Sequence, residues 1–83
     1  MLRAAKYIIY DDGLTDVAII FPNHIQHNSM AMMLGCEPIS AGFVEIDGTK
    51  SDEPRAIAFG ESISLGLKSR PQDSKIIQKM LHM

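Results

Sequence analysis

One cysteine, no tryptophan and no apolar run longer than five residues set the first limits on this chain of 83 residues. A lone Cys36 allows no intramolecular disulfide and no cysteine-based zinc site of the usual ligand count, and it fits a reducing compartment. Met1-Leu2-Arg3-Ala4-Ala5-Lys6 lacks the uninterrupted apolar core and cleavage site of a signal peptide. Val17 to Phe21 is far too short to cross a bilayer. Charge of one sign is scarce as well. Eight basic against ten acidic residues leave −2, which gives no general attraction for nucleic acid or anionic lipid. Aromatic residues interleaved with basic ones, the usual device for gripping bases, are missing too. The expectation is a soluble, cytoplasmic protein that touches neither membrane nor nucleic acid.

What is present suits one small domain. Hydrophobic residues make up 46% of the chain and charged residues 22%, too apolar a mixture for a disordered segment. Apolar burial contributes on the order of 125 kcal/mol at this size. Ordering the chain costs on the order of 125 kcal/mol as well. The balance lies near zero, so stabilisation by self-association or by a partner is expected. The charge is unevenly spread: residues 1–59 hold four Lys/Arg against eight Asp/Glu, and residues 60–83 hold four against two.

Periodicity and punctuation suggest an α+β fold in the order ββαββα. A β-branched and aromatic strand at about 5–10 meets Asp11-Asp12-Gly13, a hairpin signal, and a second strand follows at 14–21. Asn23 with Gln26 three residues on resembles a capping box for a helix over 23–34. Ile25, Met30, Met33 and Leu34 form its apolar face and Gly35 its stop, although Asn28-Ser29 offers a later start. A third strand spans 39–46, a polar loop 47–54 and a fourth strand 55–59. Ile63, Leu65 and Leu67 then alternate with polar residues, either as a continuation kinked at Gly60 or as an extended loop. Pro71 opens a last helix over 71–82, with Ile76, Ile77, Met80 and Leu81 on its inner face. The expected architecture is an antiparallel sheet of four to five strands with two helices packed on one face. Val17 to Phe21 and Phe43 to Ile46 are apolar on both sides, which points to a homodimer through the other sheet face or an edge strand.

The segment with most chemical content is 60–71. Glu61, Ser62, Ser64, Lys68, Ser69 and Arg70 lie between a glycine and a helix start, where backbone N–H groups, the helix dipole and two cations favour an anion. Five residues separate Gly60 from Gly66, and Leu67 intervenes before Lys68, so the spacing is not that of a phosphate-binding loop. Half-buried strand serines, with Ser69 capping the last helix, account for the same residues without a ligand. His24 and His27 share a helical spacing suited to a metal, but a third ligand would have to come from Cys36, His82 or a carboxylate. Cys36, after a helix end, sits where a thiol is deactivated. Asp11, Asp12 and Asp16 read first as turn formers. Met30, Met32 and Met33 offer either core packing or an adaptable contact surface. No nucleophile elbow or acid–base pair stands out, and neither an enzyme nor a cofactor is expected.

Two stretches, Ser40-Ala41-Gly42-Phe43-Val44 and Gly60 to Pro71, carry a resemblance. Over about Lys6 to Leu81 the chain resembles a group of small proteins of tailed phages and prophages of proteobacteria, for which no activity is assigned. That resemblance implies a setting in the host cytoplasm and a host protein as partner. The expected function is a non-enzymatic interaction module, acting through 60–71 and the acidic hairpin. The alternative is a binder of a phosphate-bearing nucleotide held by Lys68, Ser69 and Arg70, and a minor virion protein is a third reading.

Overall fold

The computed structural model describes residues 4–47 and 55–81, so the expected polar loop from residue 48 on, and the helix end at 82, lie outside the described residues. The elements are β1 (Ala5–Asp11), β2 (Asp16–Phe21), α1 (His27–Leu34), β3 (Pro38–Asp47), β4 (Arg55–Phe59), β5 (Glu61–Ser62), β6 (Leu67–Lys68) and α2 (Asp73–Leu81). The α+β class holds, and the ββαββα order is followed with two short strands added before the last helix. β2, β1, β3 and β4 form one antiparallel sheet in that order, and β5 pairs with β6 in a second, two-stranded sheet.

The β1–β2 hairpin closes later than Asp-Gly alone suggests. Asp11 Oδ1 accepts the Gly13 N–H (2.8 Å), and Asp12 Oδ1 accepts those of Leu14 and Thr15 (2.9 Å each). These side-chain turns hold 12–15 outside the ladder, so β2 starts at Asp16 and Leu14 is left exposed. The same two N–H groups, Thr15 first, hold the Asp12 carboxyl below its ordinary range.

Alternation along the central strand β1 dictates the layering. Tyr7 and Ile9 point to one side, with Ala18, Val44 and Ala56; Ile8 points to the other, with Phe21 and Ala41. Neither side is polar, and each needs a cover. α2 covers the first through the buried Ile77, helped by Ile76, Met80 and Leu81. α1 and the β5–β6 hairpin cover the second through Ala31, Met30, Leu65 and Leu67. The expectation of both helices on one face is therefore corrected: they lie on opposite faces. The doubly apolar strands are buried within the chain itself, which removes that argument for a dimer.

α2 also closes one sheet edge. Ser74 Oγ accepts the Ala58 N–H (2.8 Å) and Gln78 Oε1 that of Ala56 (2.6 Å), so β4 presents these donors to its own helix. The continuation kinked at Gly60, one of the two expectations for this stretch, is broken there. Gly60 takes φ +78, and a Cβ would sit 3.0 Å from the Phe43 ring. The chain reverses into the small hairpin instead, leaving Ile63 exposed at its turn.

α1 is shorter than expected and rotated. Asn23 spends its amide on the Ala4 carbonyl (3.0 Å), and Gln26 takes the N-cap position with no side-chain bond, so the helix begins only at His27. Its inward residues are His27 and Ala31, with Met30 half-buried, while Met32, Met33 and Leu34 are exposed. The small Ala31 is what lets the helix settle on the sheet. Gly35, with φ +64, ends it: its N–H reaches the Met32 carbonyl and that of Cys36 the Ala31 carbonyl, each at 3.2 Å.

Candidate functional site

The structure divides segment 60–71 in two. A Ser69 N–H to Gly60 carbonyl bond (2.9 Å) pinches off the β5–β6 hairpin from the residues leading into α2. Within the hairpin, Glu61 and Lys68 are exposed cross-strand partners. Ser62 is buried, its hydroxyl accepting the Leu65 N–H (3.2 Å). Ser64 accepts the Asn28 N–H (3.3 Å) and ties the hairpin to the start of α1. These serines are fasteners of the second layer.

Beyond the pinch, Arg70 turns to the first layer. Its Nε donates to Asp73 Oδ1 (2.9 Å), its backbone N–H to Asp73 Oδ2 (3.0 Å), and its Nη2 lies 3.5 Å from Asp16. Asp73 is fully buried and also accepts the Tyr7 hydroxyl at 2.6 Å. Burial, and then the Asp73 carboxylate, push the Tyr7 phenol far above its ordinary range. Asp73, the first residue of α2, reaches back across Pro71 to the Arg70 N–H and fixes the turn that leads into the helix, which begins two residues later than the expected 71. Ser69, expected as the cap of this helix, lies four residues before its start and does not cap it.

The anion site expected from Lys68, Ser69 and Arg70 is therefore not assembled. Arg70 is engaged by two carboxylates, and the chain's own Asp73 already serves the positive end of α2. The sequence places Asp73 in the helix start but gives no sign of Tyr7, which lies 66 positions away within an apolar strand. No local pattern links them.

The two histidines separate as well. His24 is exposed in the turn before α1, while His27 is buried and its Nε2–H donates to the Gly42 carbonyl (2.8 Å). Phe21 and Phe43 meet the His27 ring edge-on at 5.6 and 5.7 Å, and Phe43 stacks on Phe59. Burial lowers the imidazole pKa. An open cavity of about 530 Å³ beside it is lined by Lys6, His27, Phe43 and Glu61, among others. Two of its acid–base groups are already occupied, His27 by Gly42 and Lys6 by the Ile25 carbonyl, to which its Nζ donates (2.9 Å). Among the described residues, no three of His, Cys, Asp and Glu converge as a metal centre would need. His82 lies outside them.

The remaining surface feature is the far end of α1. Met32 is 81% exposed, Met33 73%, Leu34 48% and Ile39, at the start of β3, 41%. Leu34 and Ile39 line an open groove of about 470 Å³ with Tyr10, Cys36 and the acidic Asp11 and Glu37. A second groove of about 540 Å³ runs from Met32 to Leu65 and Leu67 on the other side of the Gly35–Glu37 turn. Burial raises the Cys36 thiol pKa, against use as a nucleophile. The chain has no lysine or arginine between Lys6 and Lys50, so no cation of that span offsets these acids. The acidic hairpin thus meets the exposed Leu34 and Ile39 here, while Met32 shares the second groove with Leu65 and Leu67 of segment 60–71. The sequence offers Met30, Met32 and Met33 as core or contact surface; the helix rotation packs Met30 against the core and leaves Met32 and Met33 exposed.

No family model, curated protein or solved structure matches the chain.

Proposed function

We propose that the protein is a non-enzymatic interaction module, and that its binding surface is the α1 end with the adjoining hairpin. The observation that carries this reading is that Met32, Met33, Leu34 and Ile39 are all exposed, with Leu34 and Ile39 lining an open groove. Apolar side chains grouped at a rimmed surface mark contact sites, and methionines adapt to a partner's shape. The setting implied by the resemblance is the host cytoplasm of a phage-infected or lysogenic cell, with a host protein as partner. Met33→Lys and Ile39→Lys test it in pull-downs from a bacterial host lysate. Retention of a partner by the native chain and its loss from both variants is the expected result. Equal retention by all three would refute the surface. Lysine near a helix C-terminus is favourable, so Met33→Lys keeps its fold by circular dichroism.

A homodimer is the second reading, favoured by Ile57 and Phe59, which stay 55% and 40% exposed at the β4 side of the second layer. Sedimentation at high micromolar concentration distinguishes it: a monomer for both the native chain and Ile57→Lys rules it out. Nucleotide binding through Lys68, Ser69 and Arg70 has less support, because Arg70 is engaged internally.

A further inference from the structure

The groove at the end of α1 selects a particular kind of occupant. Its walls are apolar at Tyr10, Leu34 and Ile39, and its charged lining residues, Asp11 and Glu37, are both acidic. The C-terminal carbonyl end of α1 adds partial negative charge, and the last turn carries no basic residue. Glu37 is exposed, and Asp11 uses one carboxylate oxygen on the turn. From this complementarity we propose that the groove takes a cationic amphipathic helix of a partner protein, its apolar stripe on Tyr10, Leu34 and Ile39 and its Lys/Arg flanks against Asp11 and Glu37. The proposal rests on the interaction-module reading and adds the chemistry of the partner.

A second copy of the chain fits less well. An isologous contact through this groove sets Glu37 and Asp11 against the same acids of the other copy. A head-to-tail contact with the exposed Lys75 and Lys79 of α2 does not close into a dimer. An acidic groove with apolar walls instead matches the helix-in-groove mode, in which a basic amphipathic segment lays its apolar face down.

The test uses the full chain and three labelled synthetic peptides of about four helical turns. One alternates Leu and Lys at amphipathic spacing, one carries Glu in place of Lys, and one carries Ser in place of Leu. Fluorescence anisotropy is expected to show binding of the Leu/Lys peptide alone, weakening with added salt. The double variant Asp11→Asn/Glu37→Gln keeps the turn acceptor but loses both charges. Its affinity for that peptide is expected to fall roughly tenfold. Binding of the Leu/Glu peptide with equal strength, or an unchanged double variant, overturns the charge selection and leaves the apolar groove standing. Equal binding of the Lys/Ser peptide reduces the effect to general charge attraction and overturns the proposal. If no peptide binds, the proposal fails; if Met33→Lys and Ile39→Lys also retain every partner of the native chain, the interaction reading falls with it.

Discussion

The two layers of this protein use the same sheet in opposite ways. The α2 layer is closed: a fully buried helix residue, a buried carboxylate with three donors on it, and two side chains sealing the β4 edge. The α1 layer is open. Its helix buries a histidine and an alanine, turns two methionines and a leucine outward, and needs a serine-bonded hairpin to finish the cover. Stability is therefore concentrated on one side and accessible apolar surface on the other. A small chain with little stability to spare can tolerate an exposed patch only where its fold does not depend on it.

The heaviest loss is expected from opening the closed layer. Asp73→Ala removes the shared partner of Tyr7 and Arg70 and the carboxylate that fixes the turn into α2, costing about 3 kcal/mol. The thermal midpoint then falls by roughly 15 °C in a calorimetric scan; a shift below a few degrees would place the stability elsewhere. A more modest change probes the open layer through pH. His27 is neutral in the folded and unfolded chain well above its ordinary pKa of 6.5. Below that value the unfolded chain gains a proton that the buried ring resists. Its contribution is thus complete at neutral pH and is lost as pH falls through about 6.5. Urea midpoints at about pH 7.5 and about pH 5.5 should differ more for the native chain than for His27→Gln. Least affected is Met33→Ala, which should shift stability by no more than about 0.5 kcal/mol in the same assay. A clear loss would mean that the open layer depends on its methionines.

Much of this contrast is written locally, and the part that is not has a physical reason. The strands of the main sheet are legible from their β-branched and aromatic runs and the turn signals between them, and α2 from Pro71 and the stripe around Ile77. The start of α1 is not, because its apparent cap, Asn23, serves a backbone carbonyl instead. The rotation of α1 is hidden too, since methionine, leucine and alanine all suit a core and only the fit against Ile8 and Ala41 chooses among them. Segment 60–71 looks like one site because its polar residues are adjacent. Folding separates them, since the Gly60–Ser69 bond sends the two halves to different layers. Of the residues expected at the site, Ser62, Ser64 and Arg70 have structural partners. Of the two expected regions, the acidic hairpin adjoins the groove at Leu34 and Ile39, and segment 60–71 lines the one at Met32 through Leu65 and Leu67.

The seal on β4 reaches beyond the finished molecule. The strands of the main sheet are all present once residue 59 has been made, yet the acceptors for Ala56 and Ala58 arrive only with Ser74 and Gln78. During synthesis the sheet thus passes through an interval with a bare edge, a template for any other strand nearby. α2 therefore also acts as a stop on sheet growth, and its docking marks the moment at which the chain ceases to be adhesive along that side.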